Sequence, residues 1–150
     1  MLMLEIPFDQ VKSVEDLLTY IQQYVNFDDN LIYTIKIVIG IDQIKNREML
    51  VYIDKMWVES TFDTNKRHYN IIYSKKFGIK YPFNVDSYLY EKMLACIFEN
   101  IQEVPEDYNI NELVPTYQMY VDKSTNEDKL YEIYDRALTE EEILEMYKKI

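Results

Sequence analysis

The chain has 150 residues, of which 48% are hydrophobic and 29% charged, and its net charge is −11. This composition is typical of a folded domain and excludes a disordered chain. The single cysteine excludes an internal disulfide, and with the single histidine it excludes zinc, copper or iron sites of the usual nitrogen and sulfur type. The N-terminus has no basic start, and no stretch approaches about 20 apolar residues, so we expect a cytoplasmic protein without a membrane segment.

The first part of the chain predicts a short strand, a helix and a long strand. Residues 4–8 form an edge strand, because Pro7 cannot donate to a central ladder. Ser13 is a good N-cap for a helix over Val14–Val25, where apolar residues recur at helical spacing. Alternating apolar residues over Leu31–Ile41 then predict a long central strand whose second face is partly covered.

Two further strands are predicted over Met49–Val58 and Tyr69–Phe77, with a polar loop over residues 59–68 between them. Because the three long strands follow one another along the chain, we expect an antiparallel meander. The segment Tyr81–Asn84 ends the sheet.

The second part of the chain begins at a change of charge near Pro82, which is only a soft boundary. A helix is predicted over Ser87–Gln102, capped by Asp86 or Asn84. The proline-containing and acidic residues 103–115 predict a surface loop.

The C-terminal residues predict a second hairpin and a last helix. Thr116–Val121 pairs with Leu130–Tyr134 in this hairpin, and Thr139 with Glu142 has the spacing of a capping box. Together these elements predict one α+β domain over residues 1–150. Its antiparallel sheet has three to five strands, with two or three helices packed mainly on one face.

Acidic residues are concentrated in the second part of the chain. Residues 1–80 have 11 acidic and 10 basic side chains, whereas residues 81–150 have 16 acidic and 6 basic ones. Such a field attracts a basic partner and repels nucleic acid. We therefore expect a basic protein as the partner and no direct contact with nucleic acid or a membrane.

No residue pattern predicts catalysis, a metal or a cofactor. His68 lies in the predicted polar loop, and no nucleophile motif accompanies it. Cys96 lies on the apolar stripe of a predicted helix, where a free cysteine packs as a small hydrophobic residue. Asp122–Asp128 lacks the glycine of a calcium-binding loop. The sequence therefore predicts a non-enzymatic protein.

The segment 66–80 is basic and contains aromatic residues. It has no acidic residue, and its basic or potentially basic residues are Lys66, Arg67, His68, Lys75, Lys76 and Lys80. This pattern superficially matches a nucleic-acid-binding strand. Because the net charge is −11, we favour a sheet edge protected against pairing, or a contact with the acidic part of the chain.

Carboxylates set among tyrosine rings are the candidate partner-binding groups. The candidates are Glu103, Glu106, Asp107, Tyr108, Glu112, Tyr117, Tyr120, Asp122, Glu127, Asp128, Glu132 and Asp135. In size, charge and composition, without a shared motif, the chain resembles phage-encoded DNA-mimic inhibitors of the anti-restriction and anti-CRISPR type. The resemblance implies a phage protein that inhibits a basic nucleic-acid-binding partner, such as a CRISPR or restriction nuclease. Two alternatives stay open: an immunity or antitoxin protein that neutralises a basic toxin, and a small carboxylate-dependent enzyme.

Overall fold

An antiparallel sheet of five strands forms the centre of the structure. The structure is a computed structural model, and it describes residues 2–55, 66–124 and 141. The strands are β1 (Leu2–Pro7), β2 (Tyr33–Gly40), β3 (Glu48–Lys55), β4 (Lys66–Ser74) and β5 (Gly78–Lys80). Their order in the sheet is β1-β3-β2-β4-β5, and every pair is antiparallel. The predicted α+β class is confirmed.

Five helices accompany the sheet within the described residues. They are α1 (Val14–Gln22), α2 (Ile41–Asn46), α3 (Ser87–Asn100), α4 (Ile110–Leu113) and α5 (Tyr117–Ser124). The predicted caps of the two longest helices are confirmed: the Asp16 N–H donates to Ser13 Oγ at 3.0 Å, and the Leu89 N–H donates to Asp86 Oδ1 at 3.0 Å. Among these helices, none has the length and the apolar run needed to cross a bilayer.

The core lies between one face of the sheet and the helices. Because side chains alternate along a strand, the odd-numbered residues of β2, β3 and β4 share this face. The completely buried residues at the centre of the core are Ile35, Ile37, Ile39, Met49, Val51 and Ile71 of the sheet, Leu17 and Ile21 of α1, and Met93, Leu94, Ile97 and Phe98 of α3. The core thus joins α1 and α3 to the same side of the sheet.

The strand order corrects the predicted meander. β2 is central, as predicted, but it pairs on one side with β3 and on the other with β4. Pairing within a meander would have placed β4 beside β3. The predicted edge position of the N-terminal strand is confirmed, because β1 pairs only with β3 among the described strands.

Strand boundaries also differ from the prediction. β4 begins at Lys66 and ends at Ser74, so residues 66–68 are strand rather than loop. The rest of the predicted polar loop, and the last three residues of the predicted strand Met49–Val58, lie outside the described residues. The short strand β5 follows a turn and was not predicted.

Two predictions after α3 are wrong in part or in whole. Residues 103–115 are not all surface loop, since they contain α4 and the buried residues Leu113 and Val114. The predicted strand Thr116–Val121 falls on α5, which packs against α3. The predicted strand at 130–134 and the capping box at 139–142 lie outside the described residues, apart from the helical residue 141.

Candidate functional site: a carboxylate-lined cleft

A cleft opens where the C-terminal end of α3 meets α4. Its volume is about 400 Å³, and it is lined by Glu99, Asn100, Glu103, Pro105, Asp107, Tyr108, Asn109, Glu112 and Leu113. Four carboxylates therefore surround one opening, with a tyrosine ring and two apolar residues between them. We call this the acidic cleft.

Asn100 joins the two helices that form the acidic cleft. Its Nδ2 donates to the carbonyl oxygen of Leu113 at 3.1 Å and to that of Glu112 at 3.4 Å. At the start of α4, Asn109 Oδ1 accepts from the Asn111 N–H at 3.0 Å. These amide contacts fix Glu112 relative to the last turn of α3.

The other rim of the cleft is held by Gln102. Its Nε2 donates to the carbonyl oxygens of Phe8 at 2.8 Å, Val11 at 3.1 Å and Phe98 at 3.0 Å. The Gln102 carbonyl in turn accepts from Arg47 Nη2 at 2.9 Å. The next residue, Glu103, is therefore attached to a backbone that the N-terminal segment and α2 hold in place.

Strand β4 supports the residues that follow α4. The buried Arg67 donates from Nε to the Val114 carbonyl at 3.1 Å and from Nη2 to Asn111 Oδ1 at 2.6 Å. The Tyr69 hydroxyl donates to the Pro115 carbonyl at 2.7 Å, and burial raises the pKa of this phenol well above its usual value of 10.0. The basic segment thus does contact the acidic part of the chain, through carbonyl and amide oxygens.

The segment of the chain that lines the cleft contains no basic residue of its own. Residues 93–122 include six acidic side chains and no lysine, arginine or histidine. Within the described residues, no lysine or arginine forms an ion pair with Glu99, Glu103, Asp107 or Glu112. The negative end of the α3 dipole adds to the same potential, because the last turn of this helix has no basic residue.

Lys75 and Lys76 of the basic segment lie beyond the end of β4 that is opposite to Lys66 and Arg67. Strand β4 runs from Arg67, beside the cleft, to the turn that carries Lys75 and Lys76. At about 3.3 Å per residue the separation is about 25 Å, roughly three Debye lengths at physiological ionic strength. Lys75 instead forms an ion pair with Asp29, at 3.3 Å.

The structure brings together part of the predicted site. Glu103, Asp107, Tyr108 and Glu112 line the acidic cleft, whereas the exposed Glu106 belongs to the same loop without lining it. Glu127, Asp128, Glu132 and Asp135 lie outside the described residues.

Three predicted residues lie on α5, outside the cleft lining. The Tyr117 hydroxyl accepts from the Asp86 N–H at 2.8 Å, and the half-buried Tyr120 packs against the core. Asp122 Oδ1 accepts from Gln118 Nε2 at 2.9 Å. Tyr117 is therefore partly a structural residue, which its sequence position did not indicate.

Glu99 and Asn100 were not among the predicted site residues. Glu99 is exposed, and its spacing of four residues from Glu103 was the available signal. Asn100 gave no signal, because its role depends on carbonyl oxygens 12 and 13 residues further along the chain.

The residues considered for catalysis are separated by the sheet. His68 lies on β4, half-buried, with its ring nitrogens shielded from solvent, so the predicted surface loop position is wrong. Its side chain points away from the face on which α3 and Cys96 pack. In the described part of the chain, no three acidic, histidine or cysteine side chains converge in a way that could hold a metal ion. The four carboxylates surround the cleft without converging on one point.

Comparisons with protein-family models, with curated proteins and with solved structures gave no match. Fold and site together define the protein as an α+β domain with an anionic cleft between two helix ends.

Proposed function

We propose that the protein is a non-enzymatic inhibitor that binds a basic, nucleic-acid-binding partner at the acidic cleft. One observation carries the proposal: Glu99, Glu103, Asp107 and Glu112 surround one opening and form no ion pair with the described lysines and arginines. Carboxylates left open to solvent can pair with cationic groups of a second molecule.

The size of the cleft suits cationic side chains of a protein. A volume of about 400 Å³ accommodates a long lysine or arginine side chain together with part of the partner backbone. The carboxylates surround this space, so an arginine or several neighbouring cations fit the arrangement better than one bare ion does.

Charge alone does not give tight binding. An exposed ion pair contributes about 0.2–1 kcal/mol, so four of them give about 1–4 kcal/mol. Burying the half-exposed Tyr108 and the exposed Pro105 against the partner supplies the rest, at about 1.5–3 kcal/mol for a large side chain. The carboxylates then set the association rate and the choice of partner, and the apolar residues slow dissociation.

A nucleic-acid-binding enzyme is the partner class that this surface fits. A groove that accepts phosphates presents cationic side chains to a series of anionic groups, and the acidic cleft offers such a series on a rigid support. Steering by a net charge of −11 accelerates the encounter with a cationic groove. A CRISPR or restriction nuclease is therefore the proposed target, inhibited by mimicry of nucleic acid.

The test compares two double variants with the same net charge. E103K/E112K reverses two cleft carboxylates, whereas E5K/E15K reverses two exposed carboxylates on β1 and α1. The wild-type protein is first used to capture the partner from source-cell extract. We expect E5K/E15K to capture this partner as well as the wild-type protein does. Affinity for E103K/E112K falls at least about tenfold, because each reversed contact near a cation costs about 1 kcal/mol.

The recovered partner then decides the mechanism. We expect the protein and DNA to compete for it, and binding to weaken as salt is raised from about 0.05 to 0.5 M. Simultaneous binding of DNA and protein, equal binding by both double variants, or binding that is insensitive to salt would contradict the proposal.

A further inference from the structure

The turn between β4 and β5 holds a phenylalanine out into solvent. Ser74 Oγ accepts from the Phe77 N–H at 2.9 Å, and Ser74 pairs with Gly78 across the turn. Gly78 has φ +75°, a conformation that glycine adopts at low cost. Phe77 is 62% exposed, so the turn displays this ring instead of packing it into the core.

Lysines surround the displayed ring. Lys76 Nζ and Lys80 Nζ each lie 5.5 Å from the centroid of Phe77, a distance at which an ammonium group interacts with an aromatic ring. Lys75, beside them, pairs with Asp29. The charge of Asp29 is thereby offset, and the two lysines at the ring give the turn a positive field.

A second large apolar side chain lies at the same end of the sheet. Ile32 is 56% exposed and immediately precedes Tyr33, which pairs with Tyr73 at the end of β4. The ion pair between Asp29 and Lys75 also joins the segment before β2 to the turn. Phe77 and Ile32, with Lys76 and Lys80, form what we call the lysine–phenylalanine tip.

We infer that the lysine–phenylalanine tip binds the surface of an anionic lipid bilayer. Phenylalanine and isoleucine side chains insert between acyl chains, while lysine ammonium groups stay hydrated among anionic headgroups. Charge complementarity thus selects an anionic occupant, and the two apolar side chains select one with a hydrocarbon interior.

Other anionic occupants fit this tip less well. Single-stranded nucleic acid is bound by stacking bases on several rings along a basic groove, whereas Ile32 has no stacking face. Protein interfaces are depleted in lysine and enriched in tyrosine, tryptophan and arginine, and the tip has lysine as its only kind of cation.

The large negative net charge does not prevent this contact. The acidic cleft lies about 25 Å from the turn along β4, so its repulsion from the bilayer is screened at physiological salt. The sequence led us to expect no membrane contact, because it gave the positions of the charges along the chain without the distance in space between the basic turn and the acidic cleft.

The test measures flotation of the full-length chain with vesicles of phosphatidylcholine containing 30 mol% phosphatidylglycerol, and with vesicles of phosphatidylcholine alone. We expect binding to the anionic vesicles and about tenfold weaker binding to the neutral ones. F77S should reduce partitioning at least about tenfold, since a buried phenylalanine side chain contributes that much. K76E/K80E should abolish detectable flotation.

Tyr88 and Lys92 on α3 provide a matched control. Tyr88 is also 62% exposed, and Lys92 Nζ lies 4.4 Å from its ring centroid. We expect Y88S/K92E to float like the wild-type protein. The inference is overturned if the wild-type protein does not float, if F77S floats equally well, or if Y88S/K92E loses binding equally. It is also overturned if Phe77 is required for binding single-stranded DNA and not for binding vesicles. Cleft variants such as E103K/E112K should float normally, so this outcome does not depend on the proposed function.

Discussion

Replacing Asn100 by aspartate tests how the acidic cleft is held together. Asn100 Nδ2 donates to the carbonyl oxygens of Leu113 at 3.1 Å and Glu112 at 3.4 Å, and it lies 3.6 Å from Cys96 Sγ. Aspartate keeps the shape of the side chain, but an anionic oxygen then faces two carbonyl oxygens. We therefore expect N100D to destabilise the protein more than removal of the side chain does.

The magnitude follows from the number of contacts. One well-formed hydrogen bond contributes about 1 kcal/mol, and a buried carbonyl left without a donor costs about 1–3 kcal/mol. N100A should therefore lower the free energy of unfolding by about 1–2 kcal/mol. N100D adds repulsion from the carbonyls and from the four cleft carboxylates, so we expect a loss of about 2–4 kcal/mol.

Urea unfolding followed by circular dichroism measures this difference. With a slope of about 2 kcal/mol per M, the transition midpoint should fall by about 0.5–1 M in N100A and by about 1–2 M in N100D. N46D, at the exposed end of α2, is the control and should change stability by less than about 0.5 kcal/mol. If N100D is as stable as N100A, or more stable, Asn100 does not join α3 to α4 as a donor.

Further predictions concern the turn, the core and alkaline pH. G78A should lower the free energy of unfolding by about 1 kcal/mol and G78N by less, measured by thermal unfolding. An added Cβ has no atom within 4 Å, so the cost comes from backbone strain at φ +75° and not from a steric clash. Equal stability of G78A and the wild-type protein would contradict this strain. F98A should cost about 3–5 kcal/mol in urea unfolding, because Phe98 is completely buried, and a loss below about 1 kcal/mol would refute its place in the core. Burial raises the pKa of Tyr81 from 10.0 to about 12. The neutral phenol therefore contributes its full share of the folding stability below pH 10, and this stability is lost as the pH rises from 10 to 12. Because Tyr81 is only half-buried, solvent screening reduces the effect to about 1 kcal/mol. The free energy of unfolding of Y81F should fall less steeply between pH 10 and 12 than that of the wild-type protein. Identical slopes in the two proteins would exclude a raised pKa of Tyr81 as the cause.

Local sequence determined the longest elements of this protein. The caps Ser13 and Asp86 act within three residues, so α1 and α3 begin where the sequence predicts. The alternating apolar residues of β2 are a local pattern too, and they predicted a long central strand whose second face is partly covered. The charge imbalance is fixed by the order of the residues along the chain, and it predicted an anionic surface in the second part of the chain.

Tertiary structure alone decided the strand order, the α5 helix and the acidic cleft. Alternation specifies which side chains are buried and not which strand lies alongside, so β4 could pair with β2 without any change in the pattern. Residues 116–121 were predicted as a strand, yet residues 117–121 are helical and pack on α3. Glu99 and Glu112 line the same cleft because Asn100 donates to carbonyl oxygens of a later helix. No local sequence rule predicts a contact between residues that far apart in the chain.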